Sequence, residues 1–164
     1  MRLTVSLAAA LAFLSGCAPV ISNQSLRLVD RGITFTELRQ DPLRHIGRYL
    51  LLGGVIVAVR NTSEGGELEV AQLRIDERGE ITDTGSSGGR FLAASSAFLD
   101  PALYKPGLLV TLVGEVQGKR IRPLGELEYT YPVLAIREIH LWKPGEISPP
   151  PTFHFGIGIG TIIH

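Results

Sequence analysis

The chain has a single cysteine, Cys17, so no disulfide within it can staple a fold together. Thiol ligands for zinc are equally scarce, and His45, His140, His154 and His164 lie at no ligand spacing, so neither a metal nor a dissociable cofactor is expected. Neither sign of charge is in excess, with 16 basic against 16 acidic side chains. That balance argues against nucleic acid as a partner, because such binding needs clustered Lys and Arg to neutralise phosphates. Lysine itself is rare, present only at Lys105, Lys119 and Lys143.

Arrangements that carry catalysis are missing as well. Ser86, Ser87, Ser95 and Ser96 have no nucleophile-elbow context. The carboxylate pairs Glu64/Glu67 and Glu126/Glu128 flank turns, where solvated acids are ordinary. Gly85, Gly88 and Gly89 precede no helix with a Lys-Ser/Thr pair and so form no phosphate loop. The expectation is a protein that is not an enzyme.

What the 164 residues do contain is 45% hydrophobic and 20% charged, a globular composition, with Gly 19 and Pro 10 among short runs of Val, Ile, Leu and Thr. Such a mixture predicts strands separated by turns. At the start, Arg2 precedes an apolar run from Leu3 to Leu14 broken only by Thr4 and Ser6, followed by Ser15 and Gly16. This is the layout of a signal peptide over residues 1–16, and the run is shorter than the roughly 20 apolar residues that span a bilayer. The segment Leu14-Ser15-Gly16-Cys17 resembles the lipobox of bacterial lipoproteins. In such signals the chain is cut between Gly16 and Cys17, and Cys17 takes a covalent fatty-acyl anchor. Ala18 is not the Asp that retains such proteins at the inner membrane, which points to the outer membrane.

Residues 17–33 then read as the lipidated cysteine and a tether, without persistent structure through Gln24. Thr34 and Glu37 have capping-box spacing, and Phe35, Leu38, Leu43 and Ile46 are predicted to share a helical face interrupted by Pro42 and ended by Gly47. Strands are predicted over Arg48–Arg60, Glu67–Asp76, Arg90–Ala94, Gly107–Val116 and Tyr129–Trp142. Gly53-Gly54 suggests a bulge or bend. Leu68, Val70, Leu73 and Ile75 change phase, which predicts a second bulge near Ala71-Gln72. Glu77–Gly89 and Gly118–Gly125 read as a loop and a turn, and Asp100-Pro101 begins a helical turn. The expected fold is all-β: a small OB-like Greek-key barrel of about five strands over residues 34–143, with short helical turns. A Pro-rich spacer and an apolar, glycine-alternating tail occupy residues 144–164.

Four stretches, GGVIVAVRN (Gly53–Asn61), ELEVAQLRID (Glu67–Asp76), SGGRFLAASSAFLDPALYKPG (Ser87–Gly107) and GELEYTYPVLAIREIHLW (Gly125–Trp142), resemble the Slp family of outer-membrane lipoproteins. Arg74 departs from the family, which often has proline nearby. The resemblance implies an outer-membrane location, on the periplasmic face, and a link to starvation or acid stress. It supplies no catalytic residues.

Tyr129, Tyr131 and Trp142 read either as a ligand-stacking surface or as strand packing. Arg90 is either an anion site or an ion-pair hub with Asp100 and Glu128 as partners. Residues 153–163 alternate apolar with small residues and are expected to pair as an added strand on the edge of their own sheet or a neighbouring one, in self-association or with a protein partner, the alternatives being a place at the lipid interface or no fixed structure. Two functions therefore compete: a non-enzymatic envelope scaffold or interaction module, and a binder of small molecules or glycans through the barrel face around Tyr129 and Tyr131.

Overall fold

The computed structural model describes residues 20–147. Residues 1–16, read as a signal peptide, with Gly16, Cys17 and the 153–163 tail, lie outside them. Six strands account for most of the described chain: β1 Tyr49–Thr62, β2 Gly65–Ile75, β3 Ile81–Asp83, β4 Arg90–Ser95, β5 Leu109–Leu124 and β6 Leu127–Leu141. Two short helices precede them, α1 Asn23–Leu26 and α2 Phe35–Gln40, with a 3-10 turn at Pro42–His45. The fold is all-β, as the turn-rich composition predicts.

Pairing is antiparallel between β1 and β2, β1 and β5, β5 and β6, and β2 and β4, and parallel between β4 and β6. Each of these five strands thus has at least two hydrogen-bonded neighbours, and β2 has β3 as a third. The main core lies between them: Leu50, Leu52 and Ile56 of β1 meet Leu68 and Val70 of β2, Phe91 of β4, Leu112 of β5 and Leu134 of β6. Each fully buried side chain of this size contributes about 1.5–3 kcal/mol. Helix α2 adds Leu38, fully buried, and Phe35, whose ring meets Phe91 edge-on at 6.0 Å.

The expected capping box is present. Glu37 N–H donates to Thr34 Oγ1 at 3.2 Å and Thr34 N–H donates to Glu37 Oε2 at 2.8 Å. The bonds its carboxylate accepts, from Thr34 N–H first and from the Thr34 hydroxyl second, hold the Glu37 carboxyl below its ordinary pKa. Thr34→Ala should cost about 1 kcal/mol of stability, read as a lower midpoint in urea.

Several expectations are corrected. Leu43 and Ile46 do not join the buried face of α2; they are 50% and 56% exposed, because Asp41 and Pro42 end the helix and turn the chain outward. The two glycines of β1 make no bulge, since pairing runs unbroken through Gly53 and Gly54 to both β2 and β5. The register shift falls between Ile56 and Ala58 instead, and past it Val59 takes over the inward face. Nor is there a bulge at Ala71-Gln72. Leu68 and Val70 face the main core, whereas Leu73 packs with Val55, Ile81 and Leu109 in a second cluster on the other face, with Ala71 and Ile75 against it. The apparent phase change is one strand with two apolar faces.

The loop predicted at Glu77–Gly89 contains β3, held to β2 through Arg74 Nε–H donating to Asp83 Oδ2 at 3.0 Å. Gly118–Gly125 is mostly strand, and β5 turns into β6 only after Leu124. The tether reading also fails across residues 21–33. Ile21 is fully buried, Ser22 caps α1, and Val29 bridges Tyr49.

Glu138 fastens that N-terminal segment. Its carboxylate accepts from Ser22 N–H at 2.9 Å and from the Ser22 hydroxyl at 2.6 Å. Partial burial raises the Glu138 pKa, but the bonds from Ser22 and Ser25 outweigh it and leave the group below 4.5. A carboxyl with a depressed folded pKa stabilises above its unfolded value, and that contribution is lost as pH falls through the folded one. Acidification through the Glu138 carboxyl's titration range should therefore lower the protection of amides over residues 21–29, measured against their intrinsic exchange rates at each pH, before that of the core strands.

Candidate functional site

The polar residues with the strongest mutual contacts sit where β2, β4 and the β5–β6 hairpin meet. On β2, Leu68 and Val70 point into the core, so Glu67 and Glu69 project from the opposite face. Glu69 Oε1 lies 2.6 Å from Arg90 Nη1 and accepts from the Tyr131 hydroxyl at 3.2 Å. Tyr129 Oη accepts from Arg90 N–H at 2.8 Å, and its ring meets Tyr131 edge-on at 4.7 Å. Glu67 pairs with Arg120 and, at 2.6 Å, with Arg122. The β5–β6 hairpin is thus clamped across β2 and β4, over an apolar patch of Leu92, Tyr131 and Val133.

Both carboxylates are largely withdrawn from solvent, with side-chain exposures of 13% for Glu67 and 12% for Glu69. Each has its charge met by arginine. Tyr131 is 2% exposed, and its hydroxyl pKa is raised by burial first and by the Glu69 charge second. The arrangement locks strands together and leaves no free aromatic face on Tyr131 for a stacked ligand. Tyr131→Phe should cost about 1 kcal/mol, the net worth of one such hydrogen bond, with secondary structure unchanged by circular dichroism.

Of the residues singled out from sequence, Tyr129, Tyr131 and Arg90 come together. Trp142 does not join them. It packs against the cluster of Val55, Leu73, Ile81 and Leu109, and its Nε1–H donates to Thr111 Oγ1 at 3.0 Å. The buried Thr111 hydroxyl in turn donates to Gly79 C=O at 2.7 Å. Arg90 makes one ion pair, with Glu69, and not the hub expected with Asp100 and Glu128. Asp100 instead caps its own turn, accepting from Ala102 N–H at 2.8 Å. Glu67, expected to be solvated, is a clamp. Sequence reasoning missed Glu69, Arg120 and Arg122 altogether; the one signal available was the pair of acids, Glu67 and Glu69, flanking Leu68 on a single strand.

Beside the clamp, a groove of about 310 Å³ is lined by Arg60, Thr62, Gly65, Glu67, Ser95 and Arg122, among others. Among the described residues no group of three or more His, Cys, Asp or Glu side chains could hold a metal ion. No helix among them is long and apolar enough to cross a membrane.

Comparison with known proteins places this chain in a class, the outer-membrane lipoproteins: residues 14–156 match the family described as "Outer membrane lipoprotein Slp family". The match covers most of the chain, and the chain belongs to the Slp family. It is 32% identical over 123 residues to the uncharacterised lipoprotein YeaY of Escherichia coli K12, covering 71% of this chain and 63% of that one. It is 26% identical over 114 residues to the outer membrane protein Slp of the same organism, covering 70% of this chain and 60% of the other. The chain therefore spans about three fifths of each relative. Among solved structures, mitochondrial single-stranded DNA-binding protein Rim1 of S. cerevisiae aligns with a TM-score of 0.32 and 14% identity, covering 58% of this chain and 94% of that one. So low a score carries no argument about ligand or fold.

Proposed function

We propose that the protein is a lipid-anchored, non-enzymatic module of the outer membrane, facing the periplasm, that holds another envelope component in place. The observation that carries the reading is at the start of the chain: the family match begins at Leu14, the first residue of Leu14-Ser15-Gly16-Cys17. In this reading the signal peptide over residues 1–16 is removed and the lone cysteine carries the acyl chains. Support for a module without catalysis comes from Glu67 and Glu69, the carboxylates of the central cluster, whose charges are engaged by Arg90, Arg120 and Arg122. The circuit of pairings from β1 through β2, β4, β6 and β5 back to β1, with the parallel step between β4 and β6, supports an OB-like Greek-key barrel as its scaffold. Family membership alone supports extending the role to starvation or acid stress.

The edge for a partner is on β6. Its pairing with β4 covers only Val133–Ala135, while the strand continues to Leu141, close to where residues 144–164 leave the domain. A segment alternating like 153–163 suits that edge, because small residues let another backbone approach while Phe153, Phe155, Ile157 and Ile159 supply apolar area. Hydrogen exchange on the lipidated protein tests the pairing: slow amides over residues 153–162 are expected, and uniformly fast exchange there contradicts it. Crosslinking in purified envelopes tests the module itself, with a discrete adduct to one envelope protein or to a second copy expected. Envelopes that yield neither adduct contradict it.

A further inference from the structure

The described fold starts only four residues after Cys17. Ile21 is fully buried and Ser22 is bonded to Glu138, so nothing between Ile21 and the strands can act as a long leash. Four extended residues reach about 14 Å. If Cys17 is in the bilayer, the domain surface around Ile21 is held at the headgroups, and which face that is follows from the fold.

Ser22 sits on Glu138, which is paired with Val113, and Val113 is paired with Leu51 near the start of β1. At the same end, Val29 bridges Tyr49 and the Arg48 guanidinium lies 3.6 Å from Asp30, which sets Leu28 alongside the segment entering β1. Gly47 N–H donates to Val116 C=O, and a side chain at Gly118 would come within 3.7 Å of Leu43 Cδ2. Leu28, Leu43 and Ile46 are thus gathered where β1 begins, and they are 44%, 50% and 56% exposed. Arg27, Arg31, Arg44 and Arg48 are exposed around them. Residues 21–48 carry Arg27, Arg31, Arg39, Arg44 and Arg48 against three acids, Asp30, Glu37 and Asp41, which leaves a basic excess. Asp30 is met by Arg48, Glu37 sits in the α2 capping box, and Arg31 also donates to Glu77 C=O. Half-exposed apolar side chains ringed by arginine are the pattern of a surface that rests in an anionic headgroup layer.

We propose that this end of the domain, through Leu28, Leu43 and Ile46 with the surrounding arginines, docks on the phospholipid surface. The docking rests on the lipid-anchor reading and adds to it an orientation. The far end of β1 then points away from the membrane. There, Asn61 clamps the loop that carries Phe98 and Leu103, its amide donating to Leu99 C=O at 2.8 Å and accepting from Leu99 N–H at 2.9 Å. That loop is the free, outward-facing end.

The test uses the chain's own scarcity of thiols. With Cys17 consumed by lipid, a cysteine introduced at an exposed position is the only thiol to label. Lipidated Leu28→Cys, Ile46→Cys, Phe98→Cys and Leu103→Cys proteins are labelled with a bimane fluorophore and placed in vesicles of phosphatidylethanolamine and phosphatidylglycerol carrying brominated acyl chains. Labels at positions 28 and 46 should lose more than about half their fluorescence, and labels at 98 and 103 almost none. Equal quenching at all four positions, or none at 28 and 46, overturns the orientation while the anchor stands, provided that the N-terminal peptide has the mass of an acylated Cys17. A peptide without acyl mass overturns both.

Discussion

Gly54→Val is expected to lower stability by about 3 kcal/mol, seen as a thermal midpoint about 10 °C below that of the wild type. The reason is close approach and not backbone freedom. A Cβ on Gly54 would lie 2.3 Å from Ala71 C=O and 2.5 Å from Val70 Cγ1. Neither can yield cheaply: the carbonyl belongs to the β1–β2 ladder, and Val70 is fully buried in the main core. Gly53 is the informative contrast. Its Cβ would meet Ile75 Cγ2 at 2.2 Å, a side-chain methyl that a χ1 change of the half-buried Ile75 can move where a ladder carbonyl cannot, so Gly53→Val should destabilise, but less than Gly54→Val. A Gly54→Val midpoint equal to wild type would mean that β1 and β2 do not approach as closely as described.

Cys17→Ser is expected to move the protein from the outer-membrane fraction to the soluble fraction. Anchoring by acyl chains scales at about 0.8 kcal/mol per buried methylene, so a lipidated cysteine dominates any contribution from a domain of balanced charge. Leu28, Leu43 and Ile46 are only half exposed, enough to orient a tethered domain and too little to hold a free one. Release of the variant, with its fold retained by circular dichroism, supports the anchor; full retention in the outer membrane contradicts it.

What the sequence discloses is what is local. The capping box at Thr34 and Glu37, the turn at Asp100 and five of the six strands depend on neighbours a few residues away, and they are legible. The clamp is not. Glu67 meets Arg120 and Arg122 across 53 and 55 residues, and Glu69 meets Tyr131 across 62, so no window of sequence contains both partners. The β2 pattern misleads for a different reason. A strand with Leu68 and Val70 on one face and Ala71, Leu73 and Ile75 on the other has apolar residues in both phases, which resembles a bulge until a second cluster is seen behind the sheet. The N-terminal segment misleads through composition: Ser22, Asn23, Gln24 and Ser25 look like a spacer, yet they cap a helix and reach Glu138, 116 residues away.

The most direct measurement is the mass of the N-terminal peptide of the protein extracted from outer membranes. The account predicts a peptide that begins at Cys17 and carries the added mass of a diacylglycerol and an N-terminal fatty acid. A peptide beginning at Met1, or an unmodified Cys17 in protein that nonetheless fractionates with the outer membrane, would contradict it.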